Sequence, residues 1–251
     1  MPFKRIPSRR ALAALAKLHG LRLERHWPFL IRAEGKDLNL GFEDVLEFQY
    51  ARSRRFLFLT IGAFDGLAND PISRFVRGRE CHGVLLEPQP AVYARLCANY
   101  RDFPQFTLLN AAIDQTSGYR KMYYVPEGEA GLPEWTQQIA SFQLEHLVKH
   151  EKDAPGLSLR IQSQEIRTIS FADLLDSLQL RAIDVLQIDA EGMDGQLLEW
   201  FPFERLKPGV LHYEAAHLSS VEHQAVRARL RAFGYWVREA DSPSDDMAIL
   251  F

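Results

Sequence analysis

The sequence predicts a doubly wound α/β fold, with a mostly parallel sheet and an antiparallel C-terminal strand. Three observations carry this expectation. The first is the run Phe56-Leu57-Phe58-Leu59-Thr60-Ile61, followed by the turn Gly62-Ala63-Phe64-Asp65-Gly66 and then Asn69-Asp70-Pro71. A continuous apolar run of this kind suits a strand covered on both faces. Glycines let the backbone turn sharply and let a ligand approach closely. Asp before Pro supplies a capping oxygen and then a ring already set to helical φ. The second observation is that strand-like and helix-like segments alternate almost to the end, as in βαβ units. The third is that the last two strand candidates, Tyr235-Trp236-Val237 and Met247 to Phe251, are separated only by a short acidic loop, Asp241 to Asp246. That spacing predicts a terminal hairpin and one antiparallel strand.

Taken in order, Ile72, Phe75 and Val76 form one face of the helix after the glycine turn. Gly83-Val84-Leu85-Leu86 is the second strand and ends at Glu87-Pro88; Val92, Leu96 and Tyr100 mark the helix from Ala91 to Tyr100. Phe106 to Ile113 reads as one third strand, and Met122 to Val125 as an extra one. Pro126 to Pro133 is a loop. The segment holding Trp135, Ile139, Phe142, Leu144, His146, Leu147 and His150 is partly helical, a lid over the sheet. Gln164 to Ile169 is a strand, and Ser170 with Asp173 resembles a capping box that opens a helix through Leu174, Leu175 and Leu178. Ala182 to Ile188 is another buried strand; it runs into Asp189-Ala190-Glu191-Gly192, and Leu197, Leu198, Trp200 and Phe201 give the next helix. Gly209 to Glu214 is a strand, and Ser219 with Glu222 is a second capping box, ahead of Val226, Leu230 and Phe233. Upstream, Phe42, Val45, Leu46, Gln49 and Tyr50 have helical spacing. Residues 1–55 therefore read as an N-terminal helical extension and residues 56–251 as one domain.

With 251 residues and 47% hydrophobic content, the chain can build one large core, and its formal net charge of −3 gives no reason to expect a nucleic-acid partner. Cys81 and Cys97 make neither a disulfide framework nor a metal pattern and read as reduced thiols of a cytoplasmic protein. No apolar run is long enough to span a bilayer. Lys4, Arg5, Arg9, Arg10, Lys17 and Arg22 surround a helix-prone Ala11 to Leu18 before the first acid, Glu24. A transit peptide or membrane-surface helix has this look; a basic helix packed on the domain edge by Leu12, Leu15 and Leu18 is the preferred reading.

In a doubly wound sheet the carboxyl ends of the strands open on one crevice. Glu87 follows the glycine turn by about 20 residues, where such folds hold ribose hydroxyls, and a carboxylate can accept two hydrogen bonds from a diol. A solvated strand end is its simpler alternative. Thr60, Gly62, Ala63, Asp65 and Gly66 of the first strand and turn, with Ala112 and Ile113 at the third strand end, complete the candidate cofactor contacts. Asp70 is a helix cap that could also reach a cofactor amino group. Asp189 and Glu191 share one loop and could share a proton or a divalent cation; the alternative for Asp189 is to cap the next helix or brace the loop. His217 follows the neighbouring strand with Glu214, and His150 beside Lys149 could reach a sugar. His146 and His150 stand a helical turn apart, which suits packing of a lid better than metal binding by that pair alone.

In this order and spacing, Gly62-Ala63-Phe64-Asp65-Gly66, Glu87-Pro88, Asn110-Ala111-Ala112-Ile113 and Ile188-Asp189-Ala190-Glu191-Gly192 resemble the FkbM family of methyltransferases, from about residue 56 to 251. The resemblance implies a class I methyltransferase (Rossmann-like) fold with a seven-stranded sheet whose last strand is antiparallel. It implies S-adenosyl-L-methionine as cofactor and O-methylation of a hydroxyl on a sugar, glycolipid or natural product, so a small-molecule or glycan acceptor. One departure is Thr60, where many family members have an acid two residues before the first glycine; modest cofactor affinity follows. Methyl transfer from a sulfonium needs alignment and exclusion of water. A hydroxyl acceptor also needs a base, worth about 10²–10⁴-fold. Asp189, Glu191, His217 and His150 are the candidates, with Asp189 and Glu191 the ligands of any divalent cation. Two other readings stay open. Glu87 fits an NAD(P)-dependent oxidoreductase, although G-x-G-x-x-G and Tyr-x-x-x-Lys are both missing. Thr60 hints at a non-catalytic cofactor-binding subunit of the same fold. A homo-oligomer is compatible with the sequence.

Overall fold

The structure, a computed structural model, describes residues 41–68, 70–77, 79–239 and 245–250, together with strand segments Leu21–Leu23, Ile31–Ala33 and Lys36–Asp37. The chain runs through helix α1 (Phe42–Arg52), β1 (Phe56–Ile61), α2 (Pro71–Val76), β2 (Cys81–Leu86), α3 (Pro90–Asn99) and β3 (Phe106–Leu109). Then come β4 (Ala112–Ile113), β5 (Gly118–Tyr124), β6 (Ala140–Ser141), α4 (Leu144–Val148), β7 (Gln162–Ile169) and α5 (Phe171–Ser177). β8 (Val185–Ile188), α6 (Asp194–Trp200), β9 (Val210–Glu214), α7 (Ser220–Ala232), β10 (Trp236–Glu239) and β11 (Asp245–Ile249) follow.

The central sheet has seven strands in the order β10-β11-β9-β8-β1-β2-β3. From β9 to β3 all neighbours are parallel, and β11 is antiparallel to both β9 and β10. This is the doubly wound sheet with an antiparallel C-terminal strand that the sequence predicts. The period of two along each strand explains why the core strands are apolar throughout. Phe56, Phe58, Leu85, Val185 and Val210 face α1, α2 and α3, while Leu59, Ile61, Val84, Leu86, Leu186 and Ile188 face α5, α6 and α7. The winding direction reverses between β1 and β8, which is where such sheets open a ligand crevice.

Four differences bear on the site. The expected single strand 106–113 is split: β3 stops at Leu109, and β4 joins a second sheet of order β4-β7-β5-β6. Asn110 sits at the break, its amide donating to Glu87 O at 2.8 Å and Pro88 O at 3.0 Å, so its side chain ties down the loop after β2. The extra strand and the 164–169 strand both belong to this second sheet. Within residues 1–55, read as helical, the three short segments form an antiparallel sheet. α1 does form, but it is part of the main core: Phe42, Val45 and Leu46 are buried against the sheet, and Gln49 and Ser53 donate to the Asp184 carboxylate. Finally, Asp245 and Asp246 lie in β11 and not in the hairpin loop. Asp246 tolerates burial because Arg227 donates to both of its oxygens at 2.8 and 2.9 Å and the Tyr213 hydroxyl donates at 3.0 Å. The helix candidate Ala11 to Leu18, Asn69, residues 240–244 and Phe251 lie outside the described residues.

Candidate functional site: a cleft at the switch point

A cleft partly open to solvent lies at the carboxyl ends of β1, β2 and β8. One wall is the central sheet and its loops; the other comes from the second sheet, through Met122, Ala140, Ser141 and Phe142. That second wall was not expected from the sequence, because strand pairing far apart in the chain leaves no local signal.

The glycine turn shapes the cleft through the backbone. Gly62 N and Ala63 N donate to Leu86 O at 3.0 and 2.9 Å, and Asp189 N donates to Ile61 O at 3.0 Å, so three strand ends are laced together. Gly62 has φ +79°, and a Cβ there would stand 1.8 Å from Asp189 O. The glycine is required by the neighbouring loop before any ligand arrives. Gly62 and Ala63 line the cleft, but Asp65 and Gly66 do not. Asp65 accepts from Leu67 N and Ala68 N, both at 2.9 Å, and a Cβ on Gly66 would strike the Tyr100 ring and Leu96. These two residues set the turn and its packing on α3.

Glu87 is 4% exposed and lines the cleft. Its carboxylate accepts from Phe64 N at 3.0 Å and from Gln89 N at 2.8 Å. Burial nevertheless pushes it up to about 8, against the pull of those two N–H groups and of Arg95. Asp70 caps α2, accepting from Ile72 N at 2.9 Å, and also lines the cleft; burial raises its carboxyl. Thr60 and Gln187 face each other in register on β1 and β8, and both are buried at the cleft floor. Gln187 Oε1 has no hydrogen-bond donor among the described residues. Gln187 was missed by sequence reading, although a polar residue within the fully buried β8 is a signal. Ala112 and Ile113 line the cleft beside Ala111.

The acidic end of the cleft is built on the loop after β8. Asp189 opens into the cleft and remains accessible to solvent; the surrounding protein and the carboxylates of Glu191, Asp245 and Asp70 raise it to about 7. Glu191 also lines the cleft, at the left-handed φ of +48°, an arrangement costing about 1–3 kcal/mol for a non-glycine residue. Asp194, at the start of α6, ties this loop to β9: it accepts from Ala190 N and Glu214 N, both at 3.3 Å, and burial drives it to about 8. Nothing in its sequence context singled it out.

Beside Glu191 stand His146 of α4, His217 after β9, and His150, with ring centroids 5.0 Å apart for His146 and His217 and 5.7 Å for His146 and His150. Burial holds the His146 and His217 rings down to about 4, and Lys149 acts in the same direction. Burial also lowers His150 and Lys149. His150 and His217 do not line the cleft itself; they flank its acidic end. The pair of histidines read as lid packing is thus joined by a third from a distant element.

The family profile of the Methyltransferase FkbM domain matches residues 60–237, more than two thirds of the chain. No curated protein matches. Among solved structures, the precorrin-6y C5,15-methyltransferase of Geobacter metallireducens GS-15 is 15% identical, with 82% of this chain and 85% of that one covered and a TM-score of 0.42. The methyltransferase FkbM of Methylobacillus flagellatus KT is 14% identical, with 78% and 43% covered and a TM-score of 0.46, so the chain spans less than half of that protein. The O-methyltransferase of Bacillus cereus, solved in complex with SAH, is 13% identical, with 98% and 93% covered and a TM-score of 0.41. By the profile match, this chain belongs to the FkbM family of S-adenosylmethionine-dependent methyltransferases.

Proposed function

We propose that the chain is an O-methyltransferase that binds S-adenosylmethionine in the switch-point cleft and methylates a hydroxyl of a sugar, glycolipid or natural product. The observation that carries this reading is the placement of Asp189: a carboxylate at the end of a buried strand, open to the cleft, whose side chain makes no hydrogen bond among the described residues that would commit it to bracing the loop.

The cleft fits the cofactor on its own chemistry. Gln187 Oε1 is a buried acceptor without a donor among the described residues, beside the Asp70 carboxylate, so an ammonium group satisfies both. Glu87 spends one lone pair of each oxygen on backbone N–H groups and keeps the others for a diol. Thr60, Gly62 and Ala63 hold the methionine portion, and Ala112 and Ile113 with Met122 flank the adenine. Bound there, S-adenosylmethionine supplies an electrophilic methyl group. Asp189 accepts the proton of the acceptor hydroxyl, Glu191 and the neighbouring histidines orient that acceptor, and Phe142 and Met193 keep water away. The domain that does this starts at α1, near residue 41, and the two free cysteines suit the reducing cytoplasm. No helix among the described residues is long and apolar enough to cross a membrane.

The family assignment supports a methyltransferase over the NAD(P)-dependent oxidoreductase. A non-catalytic subunit still rests on Thr60. The test is formation of S-adenosylhomocysteine by the full chain against a panel of glycans, glycolipids and hydroxylated natural products. Turnover that requires an acceptor hydroxyl supports the proposal; cofactor binding without turnover across the panel supports the subunit instead.

A further inference from the structure

We propose that His146, His217 and Glu191 form a binding site for a divalent transition-metal ion at the acidic end of the cleft. One ligand atom from each of the three lies within 4.8 Å of the other two. His146 Nε2 is 3.6 Å and His217 Nε2 is 3.9 Å from Glu191 Oε2, and Glu214 Oε1 is 3.5 Å from His217 Nε2. These separations are too long for charge-assisted hydrogen bonds, which run about 2.7–2.9 Å. They approach the edge of a tetrahedron about a zinc-like ion: with metal–ligand bonds of about 2.0–2.2 Å, adjacent ligands stand about 3.3–3.5 Å apart.

The second observation is independent of spacing. His146 Nε2 and Glu214 Oε2 are buried and have no hydrogen-bond partner among the described residues. Buried nitrogen and oxygen atoms are rarely left so, and each such case calls for an unseen partner. A cation held beside Glu191 and His217 answers the open position on His146. The local backbone is shaped to converge on that point: Glu191 takes a left-handed φ of +48°, and Gly192, at φ +89°, makes room for the His146 ring, which a Cβ there would meet at 2.6 Å. Three separate elements thus deliver their donors to one place.

The donor set decides the class of ion. Two imidazoles and a carboxylate favour zinc, iron, cobalt or manganese over magnesium, which prefers oxygen alone. Asp189 is not part of the set, so the cation site lies one step from the pair read from the sequence. Lys149 is the present occupant of the far side: its Nζ is 3.1 Å from His146 Nδ1 and 3.4 Å from His217 Nδ1. While its ammonium donates to Nδ1, the opposite Nε2 carries the proton and cannot bind metal. The ion therefore displaces Lys149, which is exposed and can swing into solvent. An open coordination position beside the donor cleft would hold an acceptor oxygen; that role rests on the methyl-transfer reading, whereas metal binding does not.

The test is a Co²⁺ titration of the full chain after chelator treatment, read by visible absorption, without cofactor or acceptor. One ion per chain is expected. Affinity should fall at least tenfold in His146→Ala, in His217→Ala and in the shape-preserving Glu191→Gln. It should stay unchanged in His82→Ala, on the distant β2, and rise severalfold in Lys149→Ala. Absence of binding by the folded wild-type chain, or binding indifferent to the two histidine variants and to Glu191→Gln, overturns the site. Metal binding with no methyl transfer leaves the site standing and counts against the enzyme reading alone.

Discussion

Glu87 and Asp189 divide the work of the cleft, and their surroundings say how. Glu87 is clamped by Phe64 N and Gln89 N and shut off from solvent, so its charge is costly until a ligand offers more hydrogen bonds. Its carboxyl lies at about 8 against an ordinary 4.5, raised first by burial, so the folded chain holds a proton that the unfolded chain has lost between those values. Stability from this group is complete below about 4.5 and is lost as pH rises through about 8. Wild-type stability relative to Glu87→Gln is therefore expected to decline from pH 5 to pH 9 in urea denaturation; parallel profiles would contradict the burial. Asp189 makes no such bonds through its side chain among the described residues. Asp189→Asn keeps the shape and removes the base, so turnover should fall by about 10²-fold or more with cofactor affinity within a few-fold. If rate, affinity and thermal stability fall together, Asp189 is a brace and the proton acceptor must be sought at His217 or His150.

At the scale of elements, the glycine turn tests whether the loops are held by each other or by the ligand. In Gly62→Ala the new methyl meets Asp189 O, whereas in Gly128→Ala, also at positive φ, it meets nothing within 4 Å. The exposed site should cost about 1 kcal/mol and Gly62→Ala at least about 2–3 kcal/mol; equal costs would mean that the β8 loop yields freely. Ser219→Ala removes a capping box with both bonds made, at 3.3 and 2.8 Å, and should cost about 1 kcal/mol. The same elements show where sequence reading holds. β1, β8 and their turns are legible because strands buried on both faces are written as unbroken apolar runs, and because Gly62, Asp70 and Ser219 each answer a local backbone need. β4 is not, because Ala112 and Ile113 continue the apolar run of β3 and only the side chain of Asn110 bends the chain away. The pairing of β5 with β7 in the second sheet and the meeting of His146 with His217 join residues far apart in the chain, which no local pattern records.

For the whole molecule, α1 closes one face of the central sheet, so residues 56–251 alone expose the surface that Phe42, Val45 and Leu46 cover. With about 1.5–3 kcal/mol for each buried side chain, that fragment should lose on the order of 5 kcal/mol, most of a typical domain's stability. A fragment as stable as the full chain would support a domain boundary at residue 55. The cleft itself lies between the two sheets, so a ligand there should stabilise the molecule as one unit, by about 2.7 kcal/mol at a hundredfold excess over Kd. The most direct measurement is calorimetric titration of the full chain with S-adenosylhomocysteine, alongside Glu87→Ala. One site per chain, weakened at least tenfold in the variant, is the expected result. No binding by the folded wild-type chain, or equal affinity in a folded Glu87→Ala, would contradict the placement of the cofactor in this cleft.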